Sequence, residues 1–164
     1  MAVVIDATVG TSTANSYCSV SDAEDYFLTR GFNDNWTSAT NAAKESALMW
    51  ATRILDQQPW AGFKWTLPQS LRFPRSGLTD RDRRYVPYDI IPQFLKEATA
   101  ELAMALLGED RSLDEGGLVS VNGKVGPVKD PDYYQRKLLP DSVTEMILPY
   151  LTGRPNGVGK VGRV

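Results

Sequence analysis

Two stretches of the chain carry apolar side chains at three- and four-residue steps, and they limit the possible folds more than anything else in the sequence. In the first, Ala43, Ala47, Trp50, Ala51, Ile54 and Leu55 fall on one face of a helix. In the second, Ile91, Leu95, Ala98, Leu102 and Leu106 do the same, and Ala98, Ala100, Ala103 and Ala105 allow close helix–helix approach. The pattern predicts amphipathic helices near 39–57 and 91–107. Thr37 or Ser38 is placed to cap the first and Pro59 to end it; Pro92 suits the first turn of the second and Gly108 the position after its end. The polar face of the first carries Lys44, Glu45, Arg53 and Asp56.

Between these helices the residues change character. Pro59, Pro68, Pro74 and Pro87, with Gly62 and Gly77, rule out regular helix across 59–89. The same stretch holds Trp60, Phe63, Trp65, Phe73, Tyr85 and Tyr88, too many aromatics for a disordered linker. It reads as an ordered, extended loop that packs on the helices.

The flanks add shorter elements. "SVSDAEDYFLTRGF" predicts a helix near 20–30, with Ser19 or Ser21 as cap, acids in its first turn, Tyr26 and Phe27 as buried anchors and Gly31 as its stop. "VVI" at 3–5 is a weak strand signal, and "VSVNGKV" puts Asn122-Gly123 between β-branched residues, which predicts a β-hairpin near 118–126. A helix near 141–148 lies between Pro140 and Pro149. "TGRPNGVGKVGRV" has four glycines, one proline and no acid, and reads as a flexible tail. The expected fold is mainly α: a small bundle of about four helices with a long ordered loop, a β-hairpin and an extended C-terminal arm. It forms one domain over 1–151, with the arm at 152–164.

Composition removes whole classes of chemistry. There is no histidine, and Cys18 is the single cysteine, so Ser-His and Cys-His catalysis, an internal disulfide and histidine- or multi-cysteine zinc sites are excluded. No GxxxxGK[ST] or GxGxxG signature is present, and no cofactor is implied. The carboxylate pairs Glu24/Asp25, Glu109/Asp110 and Asp114/Glu115 are sequence neighbours, which do not face one another on a helix, so an enzyme is not expected. No apolar run approaches the roughly 20 residues that span a bilayer. "MAVVIDATVG" lacks a basic start, so the chain is expected to stay in the cytoplasm where it is made.

The net charge of −2 is unevenly spread. "RFPRSGLTDRDRRY" at 72–85 carries five arginines against Asp80 and Asp82, and 152–164 carries Arg154, Lys160 and Arg163 with no acid. Each segment is +3, which leaves −8 for the remainder. Two readings of Arg72, Arg75, Arg81, Arg83 and Arg84 are open. They neutralise phosphates while Phe73, Trp60 or Trp65 stack bases; or Arg72 and Arg75 pair with carboxylates of the body or of a neighbouring subunit, and "TDRDRR" is a solvated tip. Interspersed acids favour the second reading, and an acidic body fits a general DNA binder poorly. Trp36, Trp50 and Trp60 are expected in the core. In the tail, Val158, Val161 and Val164 alternate with small or polar residues, a pattern suited to adding a strand to another chain.

"ANSYCSVSDAEDYFLTRG", "KESALMWATRILDQQPWAG", "LPQSLRFPRSG" and "IPQFLKEATAELA" together resemble the bacteriophage proteins grouped as DnaT-like single-stranded-DNA-binding proteins, over about residues 14–107. In tailed phages these are similar to head–tail adaptor, or head-completion, proteins. The resemblance implies a virion protein of the phage neck. It would form a ring of about twelve copies under the portal protein, meet a second adaptor, stopper or tail-terminator protein below, and let DNA pass without sequence-specific recognition. By position, residues Arg154, Val158, Lys160, Val161, Arg163 and Val164 would be the portal-binding arm. The group's description implies instead a replication role in binding single strands.

Overall fold

The computed structural model describes residues 4–109 and 138–153. It is mainly α-helical. The helices are α1 (Val20–Arg30), α2 (Asp34–Thr37), α3 (Asn41–Asp56), α4 (Gln93–Gly108) and α5 (Asp141–Ile147), and a 3-10 turn, Leu148–Tyr150, follows α5 directly. The strand pair β1 (Phe63–Lys64) and β2 (Arg75–Ser76) is antiparallel, with Phe63 opposite Ser76 and Lys64 opposite Arg75.

Local chemistry explains the helix ends. Ser19 and Asp22 form a reciprocal capping box: the Ser19 hydroxyl accepts the Asp22 N–H at 3.1 Å, and the Asp22 carboxylate accepts the Ser19 N–H at 2.9 Å. Thr40, not Thr37 or Ser38, caps α3, because Thr37 and Ser38 close the four-residue helix α2. Pro92 is the N-cap of α4 rather than a residue of its first turn, and Gly108 is the last helical residue with Glu109 as C-cap.

The cross-links give the relative directions of the helices. Lys96 of α4 pairs with Asp22, Arg30 with Glu101, and Asn35 lies against Gly108, so α1, α2 and α4 advance together. α3 runs the other way: Lys44 near its start pairs with Glu24 at 3.0 Å, while Trp60 just past its end packs on Phe94 at the start of α4. One end of the bundle therefore holds the starts of α1 and α4, the end of α3 and the loop beyond it. The opposite end holds the corner between α1 and α2. Leu48, Leu55, Leu95, Leu102, Leu139 and Ile147 are fully buried between the helices.

Three expectations are corrected here. Trp50 is 38% exposed: the buried face of α3 is turned away from the apolar stripe toward Lys44, Leu48 and Thr52, which leaves Trp50 at its outer edge. Lys44 is buried rather than on a polar face, because its ammonium pairs with Glu24 and lies 5.2 Å from the Trp36 ring centroid. Residues 4–5 form no strand. Val3, the hairpin near 118–126 and the tail from 154 onward lie outside the described residues.

Candidate functional site

The loop that joins α3 to α4 is held by its own polar groups. The buried Arg75 side chain spreads over four backbone carbonyls: Nε donates to Ala61 O at 2.8 Å, Nη1 to Arg72 O at 3.2 Å, and Nη2 to Gly62 O at 2.6 Å and Trp60 O at 3.4 Å. Burial, with the charge of Arg72 adding to it, lowers its pKa below the usual arginine value. Gln69, also buried, accepts the Thr66 N–H at 2.9 Å and donates to Leu71 O at 2.9 Å and Pro74 O at 3.0 Å. Ser70 ties the loop to the N-terminal segment through Ala14 O at 2.6 Å.

Underneath runs an aromatic column. Tyr17 meets Phe73 edge-on at 5.8 Å, Phe73 meets Trp60 at 4.8 Å and Phe94 at 6.3 Å, and Phe94 stacks on Tyr150 at 3.8 Å. The end of the described chain is bound to the same place. Ala61 N–H donates to Tyr150 O at 2.9 Å, Thr152 N–H to Pro59 O at 2.8 Å, and Trp60 bridges Leu151.

The five arginines of the segment thus separate. Arg75 is an internal clamp, and it serves carbonyls rather than the carboxylates expected of it, because the turn at 60–62 aims its oxygens at the guanidinium. Arg72 is exposed, with its backbone N–H donated to Asp56 at 2.6 Å. Arg81, Arg83 and Arg84 lie on an exposed tip closed by the Thr79–Tyr85 bridge and by Asp80, whose carboxylate accepts the N–H of Asp82 and of Arg84. Arg83 holds a left-handed backbone, φ 62°, and Arg81 reaches Glu145 O at 3.3 Å. The expected arm residues Arg154, Val158, Lys160, Val161, Arg163 and Val164 lie outside the described residues, as do Asp110, Asp114 and Glu115.

The outer face of this loop is apolar. Leu67 is 101% exposed, Tyr85 84% and Phe63 78%, and Trp65 lies 6.0 Å from Tyr88 with both rings reaching solvent. Elsewhere, Glu101 is buried and accepts from Tyr26 at 2.8 Å and from Arg30 Nη2 at 3.2 Å. Among the described residues, no three Asp, Glu or Cys side chains converge as a metal site would need. No helix there is long and apolar enough to cross a membrane.

Sequence reasoning missed two features. One is an open cavity of about 710 Å³ along the outer side of α3, lined by Met49, Trp50 and Arg53 together with Ala14 and Leu71. Placing Trp50 in the core hid it. The other is Phe32, fully exposed on the α1–α2 corner. Its only signal was an aromatic directly after the helix-stopping Gly31.

A family model described as "Putative DnaT-like ssDNA binding protein" matches residues 1–164. The chain belongs to this family. The match covers the whole sequence, so the DnaT-like family assignment includes the loop, the tip and the residues outside the described structure. No curated protein and no solved structure matches the chain.

Proposed function

We propose that this DnaT-like family member is a structural head-to-tail adaptor of a tailed phage. In this reading it forms a ring under the portal protein, joins it to the tail-side proteins and lines the passage for DNA. The observation that carries the reading is the exposure of large apolar side chains at both ends of one small bundle. Leu28 and Phe32 stand at one end; Phe63, Leu67 and Tyr85 stand at the other. Clustered exposed side chains of this size mark interaction surfaces. Different surfaces at opposite ends suit head-to-tail association, which builds rings. Residues beyond Gly153 continue from the loop end, where Thr152 is bonded to Pro59, and their +3 charge suits an acidic partner surface.

The test is pull-down with portal-bearing, DNA-filled heads, using the full chain and a chain ending at Gly153 that keeps the Thr152 bonds. Binding by the full chain alone supports a portal-directed adaptor with the tail as its arm. Binding by neither chain removes the reading.

The second reading is single-strand binding, the role in the family's description. It is favoured by Trp65 and Tyr88, two partly exposed rings on the same loop as Arg81, Arg83 and Arg84: bases stack on such rings while arginines take phosphates. It requires salt-dependent oligonucleotide binding that falls when the three tip arginines become alanine. Absence of binding at low salt excludes it.

A further inference from the structure

From Gly153 onward the sequence has a period of three: GRP-NGV-GKV-GRV. Arg154, Lys160 and Arg163 hold the middle place of their triplets, and Val158, Val161 and Val164 the last. In a strand the three valines would fall on alternating faces. In a polyproline II helix, with three residues per turn, the three places become three faces. One is basic, one is apolar, and one carries Gly153, Asn156, Gly159 and Gly162. Segments of this kind dock in grooves lined by aromatic side chains.

The body holds such a groove. The open cavity along α3 measures about 710 Å³ and sets Met49 and the half-exposed Trp50 between two carboxylates, Glu45 and Asp56. Arg53 is the single cation of its lining, and Arg72 lies outside it. Glu45 makes no ion pair among the described residues. Asp56 accepts from two neutral donors, the Tyr17 hydroxyl and the Arg72 N–H, which leave its charge in place. The charged lining is thus net negative, opposite a segment of +3.

The segment also starts in the right place and is long enough. Thr152 is bonded to Pro59, and Gln57, two residues earlier, lines the cavity, so residues 154–164 leave the body beside the C-terminal end of the groove. They span about 34 Å as polyproline II, against about 24 Å for the whole of α3. Glu45 and Asp56 stand three turns apart on one face of α3, about 16 Å, and Arg154 and Lys160 stand two turns apart on one face of the segment, about 19 Å.

We infer that residues 154–164 lie back along α3 of their own chain as a polyproline II helix. The valine face packs on Met49 and Trp50, Arg154 meets Asp56 and Lys160 meets Glu45. The contact itself needs nothing from the adaptor reading. Its consequence rests on that reading: the portal-directed arm is stored on the body until the portal displaces it.

Amide NMR tests the contact, comparing the full chain with a chain ending at Gly153, which keeps the Thr152 bonds. Removing 154–164 should shift the signals of Ser46, Met49, Trp50 and Arg53 and leave those of Leu95 and Leu102 in place. A spin label on Gly159→Cys, outside both stripes, should broaden the same α3 signals; the native Cys18 is buried and takes no label. Glu45→Lys should reduce the broadening, and adding Lys160→Glu to the Glu45→Lys chain should restore it. No shift on truncation, broadening spread evenly over the body, or a charge swap that restores nothing would each overturn the inference. So would a spin-labelled chain that broadens an isotope-labelled second copy and not itself, which would put the segment of another copy in the groove. Head binding is scored separately. A docked segment without head binding removes the adaptor reading alone, and head binding by a chain whose segment does not dock removes this inference alone.

Discussion

Tyr17 donates its phenolic hydrogen to the Asp56 carboxylate, and the same carboxylate oxygen accepts the backbone N–H of Arg72 at 2.6 Å. One oxygen at the end of α3 thus joins the N-terminal segment to the start of the arginine-rich stretch. Asp56→Ala would leave the buried Tyr17 hydroxyl and the Arg72 N–H without this acceptor. We expect a loss of about 2–3 kcal/mol in urea unfolding, against about 1 kcal/mol for Tyr17→Phe, which leaves the Arg72 bond in place.

The same pair sets an alkaline limit. Burial, with the Asp56 charge adding to it, holds the Tyr17 pKa well above that of an ordinary tyrosine. A raised folded-state pKa contributes stability that is fully present below the unfolded value, about 10, and lost as pH rises beyond it. Stability should therefore fall above about pH 10, and Tyr17→Phe should flatten the slope. An unchanged slope in that variant would remove Tyr17 as the cause.

Arg75 is expected to be irreplaceable by lysine. A single ammonium cannot reach the carbonyls of Trp60, Ala61, Gly62 and Arg72 together. Arg75→Lys should cost about 2 kcal/mol or more and Arg81→Ala no more than about 0.5 kcal/mol, both measured by thermal unfolding.

Gly62 and Gly31 make a matched comparison. Both have positive φ, 71° and 66°, but a Cβ on Gly62 would sit 2.2 Å from Ser76 O, while one on Gly31 meets nothing within 4 Å. Gly31→Ala should cost about 1–3 kcal/mol from backbone strain alone. Gly62→Ala should cost more and separate β1 from β2, read as loss of amide protection at Trp65, whose N–H donates to Pro74 O at 3.2 Å.

Ser19→Ala removes half of the α1 capping box and should cost about 1 kcal/mol. Burial raises the Asp22 pKa, but the bonds from Lys96 and Ser19 outweigh it and the net shift is downward. A lowered carboxylate pKa contributes stability that is present above about pH 4 and lost as pH falls through the folded value. Ser19→Ala should therefore lose less on acidification than the parent chain.

The helices were legible because their signals are local. Ser19 with Asp22, the stripe through Leu95 and Leu102, and Pro140 before α5 each act within a few residues. α2 was not, because it is a single turn whose Asn33 makes no side-chain cap bond. The loop was legible as ordered from its aromatics, but not the fate of its arginines. Arg75 is decided by carbonyls thirteen to fifteen residues away, and periodicity does not report where such oxygens point. Trp50 failed for a related reason: apolar spacing alone set the direction of the stripe, while the buried face is turned toward Leu48 and takes in the polar Lys44 and Thr52. The α3 cavity was hidden too, because Ala14 and Leu71, which line it beside the helix, are brought there only by the tertiary fold.

The ladder between Pro59–Ala61 and Tyr150–Thr152 has a mechanical meaning. A pull applied past Gly153 enters the body at that ladder and passes through Pro59 into the end of α3, where Leu55 is fully buried. α5 lies upstream of the anchor and is spared the load until the ladder breaks. The fold thus gives its last residues a tether point that takes tension into the core instead of peeling away the final helix.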